Sequence, residues 1–183
     1  MRKVYWTPGL ILLVALSALA QSPARSHGRL SPGEVPNAEL SLGYSFLRAS
    51  DGGSVNFHGG SASIAGNFNR WFGIVGDFGG YRASEVVISA NVFSYLFGPR
   101  ISYRDNDRIT PFAQVLVGGA RISASGASLN SFALAAGGGI DIKAAEHIAI
   151  RLVQAEYVYT RFSGVKQNNV RLSAGVVFRF GRK

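Results

Sequence analysis

The fold is decided by a stretch near the C-terminus, residues 170–180, which reads VRLSAGVVFRF. One parity of this stretch is apolar throughout: Val170, Leu172, Ala174, Val176, Phe178 and Phe180. The other parity is small or charged apart from one valine: Arg171, Ser173, Gly175, Val177 and Arg179. Alternation with a period of two predicts a β-strand with unlike faces. Because the apolar face ends in two aromatic residues, Phe178 and Phe180, we expect that face to contact lipid rather than water.

The same alternation continues through most of the chain upstream and predicts an all-β protein with eight strands. We expect these strands at residues 38–48, 60–69, 71–82, 92–104, 109–122, 131–143, 147–161 and 170–180. The seventh strand changes parity partway along, which predicts a β-bulge near residues 153–155. The turns at 69–70, 105–107 and 144–146 are short, whereas the segments 49–59, 83–91, 123–130 and 162–169 are longer. Short turns at one end and long loops at the other are typical of an up-and-down antiparallel barrel that crosses an outer membrane.

If the small and polar parity faces inward, the barrel interior collects charges of both signs. The predicted lumen charge network consists of Glu39, Asp77, Asp141 and Glu156 together with Arg100, Arg151, Arg171 and Arg179. Four acids against four arginines is the balance expected where buried charges must be paired. The interior of an eight-stranded barrel is just wide enough to be filled by side chains. We therefore expect a salt-bridged plug, with a narrow ion path or gate as the alternative.

The aromatic residues separate into two predicted belts, as anchoring at two membrane interfaces requires. The belt near the short turns contains Trp71, Phe72, Tyr103, Phe112, Phe178 and Phe180. The belt near the long loops contains Tyr44, Phe46, Tyr81, Phe93, Tyr95, Tyr157, Tyr159 and Phe162.

Three regions make up the chain in this interpretation. Residues 1–20 have a basic start, a short apolar run and an Ala18-Leu19-Ala20 ending, which predicts a secretory signal peptide cut before Gln21. Residues 21–37 contain three prolines and no periodicity, which predicts a flexible lead-in. Residues 38–183 form the barrel domain.

The composition agrees with a single exported domain. The chain has 183 residues, no cysteine and a formal net charge of +9, so thiolate metal sites and disulfides are excluded. After residue 20 no apolar run is long enough for a membrane helix. The basic residues are scattered at strand ends and turns, which favours anionic lipid headgroups over nucleic acid as the partner.

The spacing of Ser173, Gly175, Phe178 and Phe180 resembles the C-terminal assembly signal of bacterial outer-membrane barrels. Residues 38–180 as a whole resemble the small eight-stranded outer-membrane β-barrel family, represented by the membrane domain of OmpA and by OmpX. The resemblance implies an outer-membrane location among lipids and lipopolysaccharide, and recognition of the last strand by the barrel-assembly machinery. It is specific for fold and names no external partner.

Catalytic and cofactor motifs are weak in this sequence. His27, His58 and His147 do not stand at a spacing from a serine that suggests a nucleophile and its base. A site at His58 with Ser54 or Asp51 is the alternative that the sequence leaves open. No metal-ligand cluster or phosphate-binding loop is present, so we expect no cofactor. The Gly137-Gly138-Gly139 run lies within a strand and indicates close packing rather than ligand binding.

The leading functional hypothesis is a non-enzymatic outer-membrane barrel that serves envelope integrity or surface interaction through its long loops. The alternatives are an outer-membrane lipid-modifying enzyme, a small-solute channel, and a soluble lipocalin-like barrel. The last of these is disfavoured because the rows of Leu, Ile, Phe and Tyr would have to turn inward around a ligand.

Overall fold

A computed structural model of the protein describes residues 35–50, 54–83, 90–106, 108–124, 127–162 and 165–181. These residues form a closed barrel in which each strand pairs antiparallel with its neighbours in sequence and β8 pairs back to β1. The strands are β1 (Ala38–Ser50), β2 (Ser54–Asn67), β3 (Phe72–Ala83), β4 (Ala90–Ser102), β5 (Ile109–Ala124), β6 (Ala127–Lys143), β7 (Ile148–Phe162) and β8 (Val165–Phe180). The all-β, eight-stranded antiparallel fold predicted from the alternation is therefore confirmed.

Both ends of the barrel domain lie at the same rim, because an even number of strands alternates in direction. Ala38, which begins β1, pairs with Phe180, which ends β8. We call this rim the terminal end, and the opposite rim, where Ser50 pairs with Ser54, the hairpin end.

The expected long loops at the hairpin end are largely strand. Pairing continues through Ala49 and Val55, through Ser123 and Ser128, and through Arg161 and Lys166. β2 begins at Ser54, β6 at Ala127 and β8 at Val165, so the prediction of long irregular loops was wrong for these three hairpins. The loop predicted at residues 83–91 lies mostly outside the described residues. Backbone hydrogen bonding does not require an apolar face. Beyond the apolar band the strands contain Ser, Asn and Gly, so apolar and polar residues no longer alternate. The strand ends predicted from alternation therefore fall short of the strand ends defined by backbone hydrogen bonds.

The predicted irregularity in β7 is present. Ile140 pairs with Val153 but Asp141 pairs with Arg151, so Leu152 is an extra residue in the ladder with β6. The pairing with β8 shifts over the same segment, between Arg151 and Gln154. Leu152 and Val153 are both exposed, at 54% and 43%, and the bulge places Arg151 and Gln154 on the inner face together.

The two faces of the barrel differ in the direction that the sequence predicted. The outer face exposes a continuous apolar surface, and the inner face buries small, polar and charged side chains. The apolar residues of the outer face include Leu42, Ile64, Ile74, Phe97, Val115, Val117, Ile150, Leu172 and Val176. No helix among the described residues is long and apolar enough to cross a bilayer.

Two aromatic residues were assigned to the wrong face. Tyr81 is 3% exposed and Phe112 is 7% exposed, so neither belongs to the outward aromatic belts. Each shares the parity of inward residues on its own strand, Tyr81 with Asp77 and Phe112 with Gln114, and parity fixes the face. The other belt residues include clearly exposed members at both ends, among them Trp71, Tyr103 and Phe180 at the terminal end and Tyr44, Phe93 and Tyr157 at the hairpin end. The side chain of Phe162 lies outside the described residues.

The last residues of the predicted lead-in are attached to the barrel. Val35 is 4% exposed, and Asn67 donates hydrogen bonds to the carbonyls of Pro36 and Asn37, from its side chain and its backbone respectively. Residues 35–37 therefore contact the barrel, and the flexibility of the lead-in stays a prediction. The predicted signal peptide and the rest of the lead-in lie outside the described residues.

Candidate functional site

The interior of the barrel holds a chain of ion pairs that begins at the terminal end with Glu39. This carboxylate is 3% exposed and is surrounded by three guanidinium groups. Its oxygens lie 3.2 Å from Arg104 Nη2, 3.4 Å from Arg179 Nε and 3.8 Å from Arg100 Nη1. Arg104 lies on the segment that follows β4 and shares the parity of Arg100 and Ser102 within that strand. It is not among the lumen residues that the sequence predicts.

Asp141 and Arg151 form a second, bidentate pair. Arg151 donates from Nε and Nη2 to the two carboxylate oxygens of Asp141, at 2.7 and 3.0 Å. Its Nη1 donates to Gln154 Oε1 at 2.8 Å and to Ser41 Oγ at 3.3 Å. A guanidinium held in a fork geometry with its remaining donors also bound is a rigid element, which fits a filled interior better than a mobile gate.

Arg171 joins two carboxylates in a third group nearer the hairpin end. It lies 2.7 Å from Asp77 Oδ1 and 2.5 Å from Glu156 Oε2, and it donates to Tyr81 Oη at 3.2 Å. The three charged residues are each 2–3% exposed. Removal of this one guanidinium would leave two buried carboxylates without their cation.

Two uncharged side chains connect the three groups. Gln114 accepts from Arg100 Nε at 2.9 Å and donates to Glu156 at 2.8 Å, which bridges the first group to the third. The ring of Phe112 lies between the guanidinium groups of Arg100 and Arg151, each 4.5 Å from its centroid. Cation–π contact supplies attraction where two cations would otherwise repel across the lumen. Sequence parity alone could place Gln114 and Phe112 inside, but not in these contacts.

All eight predicted lumen residues thus lie inside the barrel, and the structure brings each into an ion pair with another member of the set. Arg104 makes a fifth arginine against the four acids. The small excess of positive charge lies at the terminal rim. The side chains of Arg104 and Arg179, which are 9% and 11% exposed, are the most exposed of these arginines.

Toward the hairpin end, the described inner face is uncharged and mostly apolar. A buried apolar cluster extends through this part of the lumen and includes Leu47, Tyr81, Val92, Leu96, Leu116, Ala120, Ala133, Ala135 and Val158. Two further members, Ala65 and Val75, lie at the level of Glu39, because Glu39 pairs with Ala65 and Ala65 pairs with Val75. Phe57 and Ile122, partly buried, pack against the cluster. The charged residues of the lumen therefore lie toward the terminal end, and the side chains beyond them are neutral.

A small cavity lies beside this network. Its volume is about 10 Å³, room for a single water molecule, and it is lined by Ser41, Asp77, Arg151, Gln154, Ser173 and neighbouring backbone. A cavity of this size accommodates neither a substrate nor a hydrated ion.

The residues predicted as an assembly signal lie at the seam between β8 and β1. Ser173 is buried and shares a 2.7 Å hydrogen bond with Ser45, and Gly175 pairs with Gly43. A Cβ on Gly175 would lie 2.6 Å from Gly43 Cα, so the two backbones meet where a side chain could not fit. Phe180 is 41% exposed on the outer face and pairs with Ala38. These contacts place the set where the barrel closes; recognition by assembly factors stays a prediction.

The histidines are not assembled into a catalytic arrangement with the described residues. His58 lies on the outer face, where its ring contacts Phe46 at 5.1 Å between centroids and its Nδ1 shares a hydrogen bond with Tyr44. His147 is exposed at a turn. The side chains of Ser54 and Asp51, and all of His27, lie outside the described residues. No group of three His, Cys, Asp or Glu residues that could hold a metal occurs in the described part of the chain.

The terminal rim carries exposed charges of both signs. Arg70 and Asp105 form an ion pair at 3.5 Å between two turns. A hydrogen bond to Asp105 also raises the pKa of Tyr103 above its ordinary value. The rim is thus electrostatically mixed.

A closed antiparallel barrel with an apolar outside and a paired, polar inside belongs to the class of transmembrane β-barrels, since only lipid would leave such an outer face stable. Residues 9–180 match the model of the outer membrane protein beta-barrel domain family, and the chain belongs to that family. No curated protein matches the sequence at a significant level.

Solved structures of small outer-membrane barrels have the same fold. Neisserial surface protein A aligns with a TM-score of 0.66 and 18% identity, over 81% of this chain and 99% of that one. Ail, the attachment invasion locus protein of Yersinia pestis, in complex with the heparin analogue sucrose octasulfate, aligns at 0.53 and 25%, over 81% and 100%. The outer membrane protein OprG from Pseudomonas aeruginosa aligns at 0.58 and 10%, over 81% and 97%.

Proposed function

We propose that this protein is a non-enzymatic outer-membrane barrel that acts through its surface, as a contact site on the cell exterior and a contributor to envelope integrity. The observation that carries the proposal is the filled lumen. Three ion-pair groups, two bridging side chains and an apolar cluster occupy the interior in succession. The cavity beside the network has a volume of about 10 Å³, too small for a solute, which favours a function carried by the exposed surfaces.

The hairpin end is the part of the molecule that can make such contacts. In an outer-membrane barrel with its termini in the periplasm, the hairpin end faces outward. In three of the four hairpins the strands extend well beyond the region where apolar residues dominate, which gives these hairpins a regular, paired backbone. The likeness to Ail, whose name refers to attachment and whose structure contains a heparin analogue, favours a role in surface contact.

Export and insertion complete the proposal. The first 20 residues would direct secretion, and Ser173, Gly175, Phe178 and Phe180 would be read by the barrel-assembly machinery. The location of Gly175 and Phe180 at the β1–β8 seam supports this role, because a signal on the closing strand is accessible until closure.

The test uses cells from which the gene has been deleted and which are complemented with one of two copies. One copy encodes the wild type, and the other encodes a variant whose β1–β2 and β5–β6 hairpins are shortened by the same number of residues on each strand. We expect the shortened variant to reach the outer membrane but to lose adhesion to a heparin-coated surface, exclusion of a large antibiotic, or both. Retention of both properties by the shortened variant would contradict the proposal. Steady conductance of the wild type in planar bilayers would indicate the channel instead.

A further inference from the structure

The hairpin end carries one outward arginine at the end of every strand that runs toward it. These are Arg48 on β1, Arg82 on β3, Arg121 on β5 and Arg161 on β7. All four side chains are exposed. Each shares the parity of lipid-facing residues on its own strand, so each points outward rather than into the lumen.

An asparagine lies directly across the hairpin in three of these cases. Arg48 pairs with Asn56, Arg82 with Asn91, and Arg121 with Asn130. All three asparagines are exposed on the outer face. In the fourth hairpin Arg161 pairs with Lys166, and the exposed Asn168 follows two residues later. We call the four arginines and their facing asparagines the arginine belt.

The belt is a surface of one sign. The outward-facing, described positions at this end carry no aspartate or glutamate, and within the described residues none of the four arginines forms an ion pair with a carboxylate. Arg121 donates to Ser128 Oγ at 3.0 Å, and this is a neutral partner. The terminal rim differs, since Arg70 there is paired with Asp105.

The depth of the arginine belt in the membrane follows from the aromatic residues beside it. Arg48 follows the outward Phe46 by two residues, and Arg161 follows Tyr159 by two, a rise of about 7 Å along a strand. Phe93 lies directly across from Arg121, and Phe132 across from Arg161. Aromatic side chains mark the boundary between hydrocarbon and headgroups. The arginines therefore lie at headgroup depth, around the circumference of the barrel.

We propose that the arginine belt binds the phosphate groups of anionic lipid in the outer leaflet, such as those of lipid A. Guanidinium groups bind phosphate oxygens in a bidentate manner, and an adjacent asparagine amide adds a neutral donor. Arginines spaced on alternate strands lie about 10 Å apart, which suits separate headgroups packed around a cylinder. This inference rests on the proposed function only in placing the hairpin end outside the cell.

The test uses the full barrel extracted in detergent from the outer-membrane fraction and titrated with labelled bis-phosphorylated lipid A. The variant replaces the belt arginines: Arg48→Gln, Arg82→Gln, Arg121→Gln and Arg161→Gln together. The matched control replaces Arg70→Gln and Arg108→Gln, exposed arginines at the terminal end. We expect the belt variant to lose at least about tenfold in affinity and the control less than about twofold. Dephosphorylated lipid A should bind weakly and equally to all three proteins.

Several outcomes would overturn the proposal. A belt variant that binds within about twofold of the wild type would do so, as would wild-type binding that is insensitive to the lipid phosphates. If the belt variant lost binding to soluble heparin but still bound lipid A as the wild type does, the belt would be assigned to a sulfated polysaccharide instead. If the quadruple variant does not migrate as a folded barrel, Arg48→Gln with Arg121→Gln replaces it, with about threefold loss expected. Wild-type affinity for lipid A that does not fall with added salt would then also count against the belt. Because the assay needs no cell adhesion, failure of the proposed surface role would leave its result interpretable.

Discussion

Arg171 shows at the scale of one residue why the lumen is closed rather than merely narrow. Its guanidinium contacts Asp77, Glu156 and Tyr81, which come from β3 and β7, while Arg171 itself belongs to β8. It therefore spans the interior and fixes three strands relative to one another. Loss of the Arg171 guanidinium would leave the carboxylates of Asp77 and Glu156 buried without a cation, which is costly in free energy.

Replacement of Arg171 by methionine should consequently destabilise the barrel. We expect Arg171→Met to lower the free energy of unfolding by about 3–5 kcal/mol, since two carboxylates lose their buried cation. Urea unfolding in lipid vesicles would measure the change. Arg70→Met, which breaks the exposed pair with Asp105, is the control and should cost no more than about 1 kcal/mol. Equal effects of the two substitutions would show that the Arg171 group is solvated and weakly coupled.

Glycines in the strands have a role that depends on what a side chain would meet. A Cβ on Gly138 would collide with the backbone carbonyl of Phe112, and a Cβ on Gly80 would meet nothing within 4 Å. We expect Gly138→Ala to lower the free energy of unfolding by about 1–3 kcal/mol because the β5–β6 ladder must shift. Gly80→Ala should leave it nearly unchanged. The same urea titration distinguishes the two, and a tolerated Gly138→Ala would mean that the backbones can separate without loss.

At the scale of an element, β8 closes the barrel and presents its apolar face to lipid. Val176 is 37% exposed there, and its neighbour Val177 is buried. Val176 pairs with Leu42, midway between the aromatic residues at the two ends of the barrel. Arginine at a lipid-facing position near the bilayer midplane costs about 2–4 kcal/mol, and near an interface about 0–1 kcal/mol. We expect Val176→Arg to reduce the amount of barrel in the outer membrane strongly, and Ile148→Arg, at the start of β7, to reduce it little. Normal assembly of Val176→Arg would reverse the assignment of faces.

The aromatic end of β8 is the second property of this element. We expect Phe180→Ala to slow assembly into the outer membrane, because the final aromatic belongs to the proposed signal. Phe97→Ala is the matched control: Phe97 is 49% exposed and Phe180 is 41% exposed, both on the outer face, but Phe97 lies within β4. Pulse-labelling followed by membrane fractionation would compare the rates. Equal rates for the two variants would reduce Phe180 to an ordinary lipid contact.

The whole molecule is a closed cylinder whose buried charges lie toward the terminal end. A closed hydrogen-bonded barrel resists detergent until it is heated, so the unboiled protein should migrate faster on a gel than the boiled protein. The filled lumen should also leave planar bilayers silent after insertion. A protein that is soluble without detergent and shows no mobility shift would contradict the membrane barrel. Steady current from a folded barrel would instead contradict the closed lumen.

The sequence by itself determined the strand number, the direction of the faces, the inward charges and the bulge in β7. These follow from parity, and parity is a local property of each strand. It could have placed Tyr81, Phe112 and Arg104 as well, because each shares the parity of a neighbour that was assigned inward. Tyr81 and Phe112 show that parity, rather than aromatic character, fixes the face of a residue in this barrel.

Only the tertiary structure decided which charges meet and how far the hairpins extend. Arg171 and Asp77 are 94 residues apart in the chain, and their contact depends on how the cylinder closes and on the stagger of its strands. The register of three hairpins likewise places an outward arginine opposite an asparagine, as with Arg48 and Asn56. Beyond the apolar band, pairing is maintained by backbone hydrogen bonds that leave no mark in the pattern of side chains. Local alternation therefore predicts a strand and its faces, whereas partners and strand ends depend on the geometry of the whole barrel.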